Sequence, residues 1–225
     1  MLIAQTENGV TSEISSTEIG HIGVDESGKG DYFGPLVIAA CYVGLEHLAE
    51  LDGVKDSKKL TDPVAVRLAT KIRATCPHSV IAIGPQKYNE LYANFKNLNA
   101  LLAWGHAQAI ENVLETQNAS HIISDEFAKG GFAVKNALKA KGKLLEFRSA
   151  VRAEEDIAVA AASILARAEF LRRLAALGAT YGCVFPKGAT NVIGTGKAFV
   201  QKNGSQALGM VAKLHFKTTA QVLAI

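Results

Sequence analysis

Leu36-Val37-Ile38-Ala39-Ala40-Cys41-Tyr42-Val43 is an unbroken run of eight apolar residues. Its length suits a strand better than a helix, and its β-branched members suit a buried strand. The surrounding sequence supplies partners and cover. Ile22–Asp25, Ser79–Ile83, His121–Asp125 and Lys143–Phe147 read as further strands. Pro63–Ala74 reads as an amphipathic helix, with Thr61 or Asp62 as N-cap and Pro63 at the first helical position. Leu98, Leu101, Leu102, Ala109, Ile110 and Val113 recur at helical spacing and predict a helix over Leu98–Leu114. An Ala-rich helix is expected over Ile157–Leu177, closed by Gly178. The stretch from Tyr181 to Gly209 is rich in Gly and Lys and less regular. Strands alternating with helices give an α/β domain, a central sheet with helices packed on it. Residues 1–20 read as a polar tail or edge segment, and residues 21–225 as one domain.

Composition narrows the function classes. Hydrophobic residues at 48% supply a sizeable core, and 20% charged residues argue against global disorder. A net charge of +3 tolerates a polyanionic partner without demanding one. Cys41, Cys76 and Cys183 are few, far apart and form no CxxC pair, which argues against a zinc knuckle or a disulfide framework and fits a reduced, cytoplasmic compartment. The first twenty residues carry Glu7, Glu13 and Glu18 and lack the pattern of a signal peptide. No apolar run reaches the roughly 18 residues of a membrane span.

The chemistry-bearing signal is Val24-Asp25-Glu26-Ser27-Gly28-Lys29-Gly30. Two adjacent acids end a strand just before a glycine turn. Clustered carboxylates repel each other and are costly to hold together without cations, and acids at strand ends converge on one crevice. Asp125 is a second strand-end acid, and Glu154-Glu155-Asp156 precedes the Ala-rich helix. Together these acids can supply an all-oxygen site for Mg2+ or Mn2+. Glu155 is more simply read as stabilising a helix N-terminus. Gly28 and Gly30 allow positive φ and close approach of a sugar or phosphate to backbone amides. The segment contains neither a Walker A loop nor a GxGxxG dinucleotide fingerprint.

The stretch from Gly23 to Leu36, with Gly28-Lys29-Gly30 followed by Asp31-Tyr32-Phe33-Gly34-Pro35, resembles the opening signature of ribonuclease HIII, a type 2 ribonuclease H. Further segments agree in order: Asp56-Ser57-Lys58-Lys59-Leu60, Asn97–Ala107, Asp125-Glu126-Phe127-Ala128, Ala158–Arg167, Pro186-Lys187-Gly188-Ala189 and Lys213–Thr219. The resemblance covers residues 21–219. It implies a ribonuclease H-like fold, a central mixed sheet flanked by helices with a C-terminal helical region. It also implies four metal-binding catalytic acids. Three map to Asp25, Glu26 and Asp125. Arg152-Ala153-Glu154 matches the triplet expected around the fourth, so Glu154 is the first choice and Asp156 the second. The ribonuclease HIII family also carries an N-terminal domain shaped like the TATA-binding protein. Only about twenty residues precede the signature here, too few for that domain.

The activity implied is two-metal hydrolysis of the RNA strand of an RNA–DNA hybrid, with Asp25 as bridging ligand, leaving 5′-phosphate and 3′-hydroxyl ends. Selectivity for RNA needs a reader of 2′-hydroxyls, a role the resemblance gives to the backbone amides of the Gly28-Lys29-Gly30 turn, with the adjacent Ser27 a candidate substrate contact. Lys29, Lys58, Lys59 and Lys187 are candidate phosphate contacts. His215 lies in a C-terminal motif and serves either nucleic-acid contact or packing. Tyr32 and Phe33 either stack on substrate or wall the core, His106 reads as core or surface, and Trp104 reads as core. A monomer is expected, acting on a hybrid. The alternatives are a ribonuclease HII-like enzyme cutting at single ribonucleotides in duplex DNA, and a non-catalytic hybrid-binding module. The intact acid set disfavours the second.

Overall fold

In the computed structural model the described residues are 19–55, 60–125 and 132–224. Five strands form one mixed sheet: β1 (His21–Ser27), β2 (Leu36–Val43), β3 (His78–Ile83), β4 (His121–Asp125) and β5 (Glu146–Ala150), in the order β3-β2-β1-β4-β5. β1 pairs antiparallel with β2 and parallel with β4. The helices are α1 (Asp62–Thr75), α2 (Pro85–Phe95), α3 (Leu98–Leu114), α4 (Phe132–Ala137), α5 (Ile157–Tyr181), α6 (Ile193–Asn203) and α7 (Thr218–Leu223).

All eight residues of β2 are buried, because helices cover both faces of the sheet. Strand alternation sorts them cleanly. Val37, Ala39, Cys41 and Val43 join the core formed with α1 and α5, while Leu36, Ile38, Ala40 and Tyr42 join the core formed with α3. α5 lies directly on β1: a Cβ on Gly23 would come 2.1 Å from the Val159 backbone nitrogen. The N-terminus of α5 is fixed by Asp156, whose carboxylate accepts from the amides of Ala158 and Val159 at 2.9 and 3.1 Å and from His21 Nε2 at 2.8 Å.

Several boundaries differ from the sequence reading. α5 runs past Gly178 to Tyr181, and Gly182 closes it in the left-handed conformation at φ 63°. Gly178 lies within the helix, and its missing side chain leaves room for the returning chain, with Cys183 O 2.7 Å from where a Cβ would sit. β5 is displaced to Glu146–Ala150, and Gly142–Leu144 forms a 3-10 turn. α1 starts one residue early, so Pro63 is its second residue rather than its first. The helices α2 and α4 have no counterpart in the sequence reading, while α6 and α7 form the expected C-terminal helical region, α6 falling in the stretch read as less regular. Trp104, expected in the core, is 36% exposed, whereas Tyr32 and Phe33 are fully buried.

Candidate active site

The strand pleat decides how Asp25 and Glu26 are held. Successive residues of β1 point to opposite faces, so each acid meets a different helix layer. Asp25 turns toward α5 and is hydrogen-bonded by Ser163. Glu26 turns toward α3, where His106 Nε2 donates to its Oε2 at 3.0 Å. Lys29 Nζ donates to the other oxygen, Oε1, at 2.7 Å. His106 is fully buried, and Ser124 Oγ lies 3.5 Å from its Nδ1.

β4 brings in the third acid. Its register sets Ile22 beside Ile122 and Val24 beside Ser124, so Asp25 and Asp125 follow the last paired row. Asp125 is steadied by the amide of Ala153, which donates to Oδ1 at 3.3 Å. That contact needs a sharp bend, and Arg152 supplies it with a left-handed backbone at φ 62°. A non-glycine residue held there costs about 1–2 kcal/mol.

The three acids open onto a cleft of about 600 Å3, whose wall continues through Ser27, Gly28, Lys29, Gly30 and Asp31. Ser163, Arg167, Phe170 and Leu171 of α5 and Lys187 complete it. The two glycines differ. Gly28 needs its freedom: φ is +87°, and a Cβ would meet Pro35 O at 2.2 Å and the Phe170 ring at 2.9 Å. Gly30 has no positive φ, and a Cβ on it meets nothing within 4 Å. The turn is stitched to the C-terminal region. Gly188 N donates to Asp31 Oδ1 at 2.6 Å, and Tyr32 N donates to Gly188 O at 2.8 Å. These bonds place the neighbouring Lys187 at the rim, where its Nζ donates to Asp62 Oδ2 at 2.7 Å.

The electrostatics of the acid pair are lopsided. Burial and the adjacent Glu26 charge push the Asp25 carboxyl well above the usual carboxylate range. Burial also works against ionised Glu26, but the His106 and Lys29 contacts outweigh it and hold Glu26 low. Asp25 is therefore a crowded acid, a condition that a divalent cation relieves. The oxygen donors suit a hard cation such as Mg2+ or Mn2+. Among the described residues no three acid, histidine or cysteine side chains close into a tight metal cage.

Not every expected residue joins the cleft. Glu154 is partly buried beside Ala153 and does not line it. Glu155 is exposed, and Asp156 is engaged with the start of α5 and His21. His215 packs elsewhere, its ring 4.4 Å from Tyr92 and 4.5 Å from Phe216. Lys58, Lys59 and the segment Glu126-Phe127-Ala128 lie outside the described residues. Sequence reasoning left out Ser163, Asp62 and Arg167 as site residues and did not connect His106 to Glu26. For His106 a signal existed, a lone polar residue on the apolar stripe of Leu102, Ala109 and Val113.

Comparisons with known proteins identify the family. The family model described as Ribonuclease HII matches residues 22–219. Ribonuclease HIII of Protochlamydia amoebophila is 44% identical over 206 residues, 90% of this chain and 68% of that protein. Ribonuclease HIII of Chlamydia felis is 40% identical over 227 residues, 99% of this chain and 74% of that protein. Among solved structures, Bst-RNase HIII in complex with Mn2+ superposes with a TM-score of 0.85 at 32% identity, covering 97% of this chain and 76% of that one. Aquifex aeolicus RNase H3 gives 0.73 at 28% identity, covering 89% and 74%. The family match spans the sheet and the residues that line the cleft, and the chain belongs to the ribonuclease HII family, with relatives named ribonuclease HIII.

Proposed function

We propose that this chain is a ribonuclease H that hydrolyses the RNA strand of RNA–DNA hybrids with Mg2+ or Mn2+, leaving 5′-phosphate and 3′-hydroxyl ends. The observation that carries the reading is the convergence of Asp25, Glu26 and Asp125 on one cleft walled by the Gly28–Asp31 turn, in a chain of this family. The Mn2+ bound by the similar Bst-RNase HIII supports the choice of cation.

Asp25, Glu26 and Asp125 would hold the metal, with Glu154 as the fourth acid. The engagement of Asp156 with the start of α5 and with His21 supports Glu154 over Asp156. When bound, the metal supplies Lewis acidity and an activated water for attack on phosphorus. The protein's own groups prepare the site. Ser163 orients Asp25 from α5. His106 and Lys29 keep Glu26 ionised and aimed. Ser27, the amides of Gly28 and Gly30, and Lys29 face the cleft where the sugar edge of the RNA strand would lie. Lys187 offers a phosphate contact, as do Lys58 and Lys59 by sequence.

The test is cleavage of a labelled RNA–DNA hybrid in Mg2+, Mn2+ or EDTA, alongside duplex DNA holding one ribonucleotide. Cleavage within the RNA strand that needs the metal is expected. A folded protein that leaves the hybrid intact in both metals overturns the reading, and cutting only at the single ribonucleotide moves it to the ribonuclease HII-like alternative.

A further inference from the structure

Arg167 stands on α5 one turn beyond Ser163, about 6 Å along the helix axis. Both residues line the cleft. A strand whose reacting phosphate lies over Asp25 therefore has a route past Arg167. Here Arg167 is engaged with Asp62 at the start of α1: Nε and Nη2 donate to Asp62 Oδ1 at 3.2 and 2.5 Å. Lys187 donates to the other oxygen, Oδ2, at 2.7 Å. One carboxylate thus bridges two cations from distant parts of the chain, one on a rigid helix and one on the loop stitched to the glycine turn.

Two oxygens of one anion, each meeting a cation, is also the way a backbone phosphate is held, and a guanidinium fork matches carboxylate and phosphate alike. The bridge is open to solvent: the side chains of Arg167, Asp62 and Lys187 are 21%, 37% and 51% exposed. Exposed ion pairs contribute little to stability, so an incoming phosphate faces a small cost in displacing the carboxylate.

We propose that Arg167 and Lys187 form a two-cation clamp for one backbone phosphate of the nucleic acid, with Asp62 as the placeholder that holds the clamp open and set until the phosphate arrives. This rests on the hybrid-cleaving reading above and adds to it a binding residue, Arg167, and a positioning residue, Asp62. The loop bonds of Asp31 with Gly188 tie the clamp to the glycine turn, so the group that grips the phosphate and the group that faces the sugar keep a fixed spacing.

The experiment is hybrid binding in EDTA as a function of salt, for the full chain and for R167M, R167K and D62N, with thermal melts of each. Removing one phosphate contact lowers the log–log salt slope by about 0.9. R167M is expected to lose that increment and to bind about tenfold more weakly, as for one charged hydrogen bond. R167K keeps the charge and keeps the slope, while losing affinity with the planar fork. D62N removes the competing charge but keeps a carbonyl oxygen for Arg167, and is expected to bind as tightly as the unmodified chain or more tightly. A plain structural tie between α1 and α5 predicts the opposite for D62N. The clamp is overturned if R167M keeps the full slope, if D62N weakens binding in step with R167M, or if R167K loses the slope as R167M does. An unmodified chain that neither binds nor cuts the hybrid instead overturns the underlying function, and the clamp with it.

Discussion

Gly30→Ala separates what the glycine turn does for the fold from what it does for the substrate. At Gly28 the two cannot be separated. An alanine there carries a positive-φ penalty of about 1–2 kcal/mol, and its Cβ falls 2.2 Å from Pro35 O and 2.9 Å from the Phe170 ring. Backbone or ring must move, so a total on the order of 3 kcal/mol is expected. Gly30 is exposed, has no positive φ, and offers open space for a Cβ. Alanine there is expected to be neutral or to stabilise by about 0.4–1 kcal/mol through the unfolded chain. If a ribose edge comes close to the Gly30 amide, that methyl group stands in its way. A loss of about tenfold in kcat/KM, or roughly 1.4 kcal/mol, should then appear with no fall in Tm. Lys29→Ala should differ in kind, because Lys29 is the partner of Glu26; its effect should appear in Mn2+ titration calorimetry. The assay is hybrid cleavage with melts and calorimetry on all three variants. A Gly30→Ala protein that cuts the hybrid at the unmodified rate refutes the close backbone approach. So does a Lys29→Ala protein that is the worst of the three in cleavage while binding Mn2+ normally.

Three other outcomes are expected. Glu154→Gln should cut cleavage sharply with little change in Tm, and Glu155→Gln should leave both cleavage and Tm nearly unchanged. Asp156→Ala should lower stability by about 1 kcal/mol through loss of the α5 cap; cleavage assays and melts on the three variants check this, and a greater activity loss at position 155 or 156 reassigns the fourth acid. His106→Ala should destabilise on the order of 3 kcal/mol, because it strips a buried partner from Glu26, with His106→Gln milder; equal melts for the two variants would count against the hydrogen bond as the cause. Glu169 is held down to about 2 by Arg172 first, then Arg173. Its contribution is present above the ordinary value of 4.5 and is lost as pH falls from there toward 2. Glu169→Gln should flatten the decline of Tm over that window, and an identical decline in both proteins removes Glu169 as its source.

The parts of the site visible in the sequence are those carried by local pattern. Asp25, Glu26 and Asp125 show because each ends an apolar strand run, and Gly28 shows because a tight turn must follow. β2 and α3 were bounded correctly because their apolar periodicity changes where the elements do. Gly178 misled because a glycine after an apolar helix usually ends it, whereas here the demand at that position is steric and comes from Cys183. Partnerships over long separations left no such trace. His106 meets Glu26 across 80 residues, and Asp62 meets Arg167 and Lys187 across 105 and 125. A capping role for Asp62 and a phosphate role for Lys187 each read sensibly alone, and nothing in their spacing shows that they share a bond.

The pleat of β1 gives these scattered partners one cause. Two consecutive acids on a strand cannot both face the same layer, so an acid pair built this way must draw support from both sides of the sheet. α5 supplies Ser163 to Asp25, and α3 supplies His106 to Glu26. The support is unequal in charge: Glu26 gains His106 and Lys29, while among the causes that shift Asp25 only a hydroxyl and a backbone amide offset burial and the neighbouring acids. Glu26 is thus held ionised by the protein itself, and Asp25 is the acid with most to gain from a cation. That asymmetry follows from strand geometry and from what each helix presents at the sheet's end, and it accounts for a histidine that is buried in an apolar helix face yet bonded to an acid of the cleft.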